Sequence, residues 1–238
     1  MSEVVPLFKS HYSLGRSILT LEKAGETADN HPDSIIDIVK NNKLKKFFLI
    51  DDNMSGFLQG YSNAKEAGLD FIFGLRISIC SDMLQKDEES KSETCKYIIL
   101  VKSLEGYKRL VKIYTKAAKE GFYYYPRIDF KNLNELWDEN DLELAIPFYD
   151  SFIFNNAMGS ALCIPDFNKI KPVFFLENND LPFDNLVRDR VAQYCEDKYE
   201  MIETQSIYYK DKKDFKAYLT FKCINNRSVL DKPQFDHM

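Results

Sequence analysis

The strongest constraint on this chain is the order of its segments. Short apolar runs rich in β-branched and aromatic residues alternate with stretches of helical periodicity. EVVPLF (3–8) reads as a strand, and PDSIIDIVKNN (32–42) as a helix with Asp33 or Ser34 as N-cap. The strand KFFLI (46–50), a tight polar turn DDNMS, and a helix through GFLQGYSNAKEA that stops at an αL cap on Gly68 make a βαβ unit. LDFIFGLRISI (69–79) and KYIILV (96–101) are further strands, separated by the charged run KDEESKSE (86–93), which reads as a solvated loop. From Ser103 a helix follows, with Leu104, Tyr107, Leu110, Val111, Tyr114 and Ala118 on one stripe that reads as core. LELAIPF (142–148), KPVFFLE (171–177) and YEMIET (199–204) are three more strands, each leading into a helical stretch: SFIFNNAM, PFDNLVRDRVAQYCED and DKKDFKAYLTFKCI. About seven strands in mostly βα order favour an α/β fold with a mostly parallel sheet closed as a distorted barrel. No repeat and no linker interrupts this order, so residues 1–225 are expected to form one domain and 226–238 a polar tail.

Bulk properties exclude several classes. With 45% apolar residues, 18 Phe, 14 Tyr and only 9 Gly, the chain is an ordered globular one. No apolar run approaches the ~20 residues of a membrane span, and no charged-then-apolar leader opens the chain; a soluble cytoplasmic protein without membrane contact is expected. Five cysteines (Cys80, Cys95, Cys163, Cys195, Cys223) lie apart with no CxxC pair, which reads as reduced thiols. Cys195 and Cys223 fall in helices, where burial accounts for them. A net charge of −5 leaves contact with nucleic acid weak or indirect.

In a barrel of this order the site is built by residues just past each strand. These are Lys9 to Ser13, Asp51 to Met54, Gly74 to Arg76, Phe148 to Ser151, Asn178 to Leu181 and Gln205 to Tyr209. Three stretches in and around them carry a resemblance: KSHYSL, LIDDNMSGFLQGYSNAKEAGLDFIFG and ILVKSLEGYKRLVKIYTKAAKEGFYYYPRID. They match the opening H-S-x-Y-S-L, the L-T-D-H-G-N-M-x-G turn with its helix, and the G-F-Y-Y-K-P-R-I-D string of the PHP domain (polymerase and histidinol phosphatase) family. The chain resembles in particular the PHP domain at the N-terminus of bacterial DNA polymerase III alpha subunits, over residues 3 to about 225.

The resemblance implies a (β/α)7-type PHP barrel and a trinuclear metal cluster, ligated by His, Asp, Glu and Cys, that hydrolyses phosphoesters. This sequence departs from that ligand set. Leu7 and Lys9 stand where the family has H-x-H, Asp52 where it has His, and Arg76 where it has Glu. Phe148 stands at a cysteine position, the ENNDLP turn holds no histidine, and Tyr208 falls where the closing N-D-V-H-Y has its histidine. Only Asp51 and Asp52 remain as paired carboxylates, and the three histidines are His11, His31 and His237. No catalytic, cofactor or metal residue is therefore assigned, and no cofactor is expected.

Asp51 and Asp52 could hold one Mg²⁺ or Mn²⁺. The plainer readings are that one of them caps the helix beginning near Ser55 and that both neutralise Lys9 and Arg76. Tyr123, Tyr124, Tyr125 and Arg127 could stack bases or grip a phosphate; the plainer reading is a loop ahead of a helix capped by Asp129. His11 beside Tyr12 suggests an acid/base pair, against a structural histidine. The leading expectation is a catalytically inactive, stand-alone PHP-like module that binds a protein partner in DNA replication, a replisome component or a proofreading exonuclease. It would be part of a split replicase or an interceptor of a host's. Richness in Lys, Asn and Ile points to a phage or mobile element of low GC content. The alternative is a metal-dependent phosphoesterase or exonuclease with a site rewired around Asp51, Asp52, His11 and Arg76.

Overall fold

The computed structural model describes residues 4–28, 31–158, 164–167 and 169–230. Cys163, His237 and most of the expected tail lie outside the described residues. The chain has the mixed α/β character expected from its order, and it divides into two compact units: residues 1–5 with 74–205, and residues 6–73 with 206–238.

In the second of these units, β1 (Val5–Phe8) runs parallel to β2 (Lys46–Asp51), with Leu7 opposite Phe48 and Phe8 opposite Leu49. Between them lies α1 (Ile35–Asn41), whose N-cap is Ser34, its hydroxyl accepting the Ile36 N–H at 3.1 Å. Ile35, Ile36, Ile38 and Val39 of α1 are buried, the face a short amphipathic helix needs to hold its place. After β2 comes α2 (Phe57–Glu66), which ends as expected at Gly68, with φ +70°. There the Leu69 N–H reaches the Ala64 carbonyl (2.9 Å) and the Gly68 N–H the Lys65 carbonyl (3.1 Å), a Schellman pair. The start of α2 differs from expectation: its N-cap is Gly56, without a side-chain cap, so neither Asp51 nor Asp52 serves there.

The other unit contains β3 (Asp70–Cys80) from Gly74 onward, α3 (Glu88–Ser92), β4 (Cys95–Val101), α4 (Leu104–Lys119), β5 (Arg127–Asp129) and α5 (Phe130–Leu136). It continues with β6 (Leu142–Ile146), α6 (Phe152–Met158), β7 (Val173–Leu176), α7 (Asp184–Cys195) and β8 (Met201–Ile207) as far as Gln205. Its strands lie in the order β8-β7-β6-β4-β3-β5. β3–β5, β6–β7 and β7–β8 are parallel, whereas β4 is antiparallel to both β3 and β6. Between β3 and β4, residues 81–94 form only the five-residue α3, with no helix of the length that usually carries a parallel crossover.

Two local expectations are corrected here. KDEESKSE is not all loop: Asp87 accepts the Ser90 N–H at 2.8 Å while the Asp87 N–H donates to the Ser90 hydroxyl at 3.2 Å, a capping box that nucleates α3. On α4, capped by Ser103, the buried stripe is Gly106, Leu110, Ile113 and Ala117, while Leu104 and Val111 are exposed. Leu104 is the first residue of the helix, 70% exposed, so the inward face begins two positions later.

The segment after α4 is held by Arg127, fully buried, whose guanidinium donates to the carbonyls of Gln85 (2.8 Å), Ser90 (3.2 Å) and Gly121 (3.3 Å). A Cβ at Gly121 would stand 2.0 Å from the Arg127 carbonyl oxygen. Gly121→Ala is expected to lower unfolding free energy by about 1–3 kcal/mol in urea titrations, the usual cost of overpacking against backbone; a change below about 0.5 kcal/mol would mean the segment relaxes freely.

Candidate functional site

The strand-end residues of the smaller unit converge on Asp51. At the end of β2 it is fully buried, and a buried carboxylate must be hydrogen-bonded. The chain after β1 supplies the donors: the Ser10 N–H (2.9 Å) and Ser13 hydroxyl (2.7 Å) on one oxygen, the Ser10 hydroxyl (2.6 Å) on the other. Burial raises the Asp51 pKa above its ordinary 3.8, and the two serines and the Lys9 charge pull it partly back. Asp52 faces cations. The Lys9 ammonium, itself buried, lies 3.3 Å from one oxygen and the Arg16 guanidinium 3.9 Å from the other. Neutralisation of Lys9 by Asp52 is the arrangement expected from the sequence, while Asp51 is engaged by hydroxyls and an amide.

His11 and Tyr12 do not form an acid/base pair. A ring nitrogen of His11 lies 3.3 Å from the Leu19 carbonyl, and the Tyr12 hydroxyl donates to Gln59 Oε1 at 2.9 Å, with the two rings packed 4.3 Å apart. Leu7 is a core residue.

In the larger unit the strand-end loops are joined by a second polar network. Arg76, on β3, is paired with Asp150, whose positive φ of +62° marks a tight turn after β6. The neighbouring Tyr149 donates its hydroxyl to Asp184 Oδ1 at 2.8 Å and receives the Asn179 side-chain amide at 3.1 Å. Asp184 Oδ2 accepts the N–H groups of Asn179 (2.8 Å) and Leu181 (3.1 Å), and Gln205 donates to Asn179 Oδ1 at 2.7 Å. Burial, and then the Asp184 acceptor, hold the Tyr149 hydroxyl well above the usual tyrosine range. Phe148 is fully buried and packs edge-on against Tyr149 at 4.8 Å. The loops after β6 and β7 and the end of β8 are thus tied together through one buried carboxylate. Sequence reasoning missed Asp184, and it placed Asp150 within a strand-end loop without naming its partner. The signal for Asp184 was its place in the first turn of the PFDNLV helix, next to a turn rich in unpaired backbone amides.

The GFYYYPRID loop carries no exposed phosphate grip. Every carbonyl partner of Arg127 is backbone, its guanidinium lies under the Tyr123 ring at 5.2 Å, and Tyr125 is bound to Thr94 at 2.9 Å. Asp129 caps α5 as expected, accepting the Asn132 N–H at 2.8 Å. Cys80, Cys95, Cys195 and Cys223 are buried, and burial pushes the Cys80 and Cys195 thiols up to about 11.

A family model described as PHP domain matches residues 9–150, more than half of the chain. The chain belongs to the PHP domain family. It is similar to the DNA polymerase III subunit alpha of Thermus aquaticus, 26% identical over 196 residues that make up 76% of this chain and 16% of that protein. The corresponding subunit of Aquifex aeolicus is 26% identical over 198 residues, 75% of this chain and 16% of the relative. That of Borreliella burgdorferi is 35% identical over 85 residues, 35% of this chain and 7% of the relative. The chain therefore spans a small fraction of the length of these relatives.

The donors present do not fit the metal cluster that PHP membership implies. At the positions that the sequence resemblance gave to ligands, Lys9 and Arg76 are ion-paired cations and Leu7 and Phe148 are buried hydrocarbon, while Asp51 already accepts three hydrogen bonds. Among the described residues no three His, Cys, Asp or Glu side chains gather into a group that could hold an ion. Nor is any described helix long and apolar enough to cross a membrane.

Two outcomes are expected. Asp184→Ala strands the Tyr149 hydroxyl and two backbone N–H groups, and should cost about 2–4 kcal/mol in urea titrations, with Asp184→Asn recovering part; a loss below about 0.5 kcal/mol would show that the network contributes little. For Asp51 the folded state holds the proton more tightly than the unfolded one, so its contribution is full below 3.8 and is lost as pH rises through the raised folded pKa. The stability of the wild type minus that of Asp51→Asn should accordingly fall as pH rises above 3.8 and then level off, and a difference that grows with pH would reverse the assignment.

Proposed function

We propose that this chain is a catalytically inactive PHP module that binds a protein of the DNA replication machinery, within a split replicase or as an interceptor of a host's. The observation that carries this reading is the pairing of Lys9 with Asp52 and of Arg76 with Asp150 at positions where the family's metal ligands fall. Fixed cations work against a second cation in a low-dielectric cleft, and metal-activated water needs several N and O ligands per ion. The similarity to DNA polymerase III alpha subunits supports the replication context. Abundant Lys, Asn and Ile support a phage or mobile-element source.

The test has two arms. Purified protein should carry no stoichiometric Zn, Mn or Fe, keep its melting temperature in EDTA, and release no product from nucleotide or single-stranded DNA substrates with added Mn²⁺. A tagged copy made in its native cells should co-purify with replication proteins in stoichiometric amount. Bound metal with chelator-sensitive stability, or Mn²⁺-dependent hydrolysis abolished by Asp51→Asn, would replace this reading with the rewired enzyme.

A further inference from the structure

One stretch of the smaller unit carries charge opposite to that of the chain as a whole. Residues 206–230 hold six cations (Lys210, Lys212, Lys213, Lys216, Lys222 and Arg227) against two anions (Asp211 and Asp214), within a chain of net −5. Neighbours take up several of these. Lys210 pairs with Asp33 at 3.0 Å, Lys213 lies 3.9 Å from Asp211, and Lys222 is buried against the Tyr218 ring at 5.8 Å. Lys212 and Lys216 are exposed, and among the described residues their ammonium groups meet no carboxylate.

The two lysines have a fixed base. A capping box between Asp211 and Asp214 starts a 3-10 turn, Lys212–Asp214, that leads directly into α8 (Phe215–Asn226). Lys212, Phe215 and Lys216 are therefore three and four positions apart along one helical stretch, a spacing that puts them on one side. Phe215 is 41% exposed and rests on Tyr209 (5.8 Å) and Tyr218 (6.3 Å), with Tyr208 stacked on Tyr218 at 5.8 Å. The backbone and the ring cluster beneath the lysines are ordered before anything binds, which leaves mainly lysine side-chain freedom to be lost on docking.

The geometry suits a short acidic peptide better than a nucleic acid. A single strand is held by successive open ring faces, but here Phe215 is exposed while Tyr218 is buried and Tyr208 and Tyr209 are half-buried among each other. A short segment stays within the roughly 10 Å over which these charges act at 0.1 M salt. We propose that the face centred on Lys212, Phe215 and Lys216 docks a short acidic segment of a protein partner that carries an apolar side chain among its carboxylates. This rests on the protein-binding reading above and names the surface for it.

The probe is a fluorescein-labelled peptide of glutamates with two central phenylalanines, titrated with the full chain and read by anisotropy. The wild type should bind, more weakly as salt rises, and Lys212→Glu with Lys216→Glu should weaken binding at least tenfold, a loss of about 1.4 kcal/mol or more. Lys212→Gln with Lys216→Gln, which brings no new charge, should move it in the same direction. Phe215→Ala should weaken it severalfold, and Lys108→Glu with Lys112→Glu on α4 should leave it unchanged. No binding by the wild type, an equal loss in the α4 variant, or displacement of the peptide by oligothymidylate at equal or lower concentration would overturn the proposal. If the Lys212 and Lys216 charge reversal still captures the same replication proteins as the wild type, this face is not the dock while the protein-binding reading stands. If the wild type captures none, that reading falls first.

Discussion

A carboxylate with no water around it must find its hydrogen bonds in the protein, and Asp51 finds them in a single short stretch of chain. Its oxygens take the amide and hydroxyl of Ser10 and the hydroxyl of Ser13, which fixes the path of the chain just after β1 against the end of β2. The Ser13 hydroxyl in turn accepts the Asp52 N–H at 2.9 Å, so the next residue is held with its side chain available to Lys9. Once Asp51 is buried, the positions of Lys9, Asp52 and Tyr12 follow from it. In a PHP chain rich in metal ligands the same strand ends could be tied by ions; here hydroxyls, an amide and ion pairs tie them.

How legible this was depended on whether a residue acts through its own neighbourhood in sequence. The βα order, the Ser34 and Ser103 caps, the Gly68 terminus and the Asp129 cap were all readable, because each rests on partners within a few residues. The reversal of β4 was not, since a strand's composition does not set its direction within a sheet. Asp184, and the partner of Asp150, were missed for a related reason. The partners of the two aspartates, Tyr149 and Arg76, lie 35 and 74 positions away, and a lone Asp in a helical or turn-like stretch reads as solvated surface. That Lys9 would meet a carboxylate was readable in the same way, but the partner of Arg76 was not, because Asp150 comes to it from a turn far along the chain.

The two polar centres also differ in what they demand of a substitution. At Asp51 the partners are serines, so a change at Ser10 or Ser13 removes a donor directly. At Asp184 two of the partners are backbone amides, which persist whatever side chains Asn179 and Leu181 carry.

Arg127 takes this to its limit. Its guanidinium closes on the carbonyls of Gln85, Ser90 and Gly121, two points on one stretch of chain and one on another. Such a clasp gauges the length of the chain between its contacts more than the identity of the residues there. Among descendants of this sequence, the segments running from Gln85 to Ser90 and from Gly121 to Arg127 should therefore drift in composition while keeping their residue count. A single insertion or deletion would do what no point change at Gln85 could, and leave a buried cation facing the wrong part of the backbone.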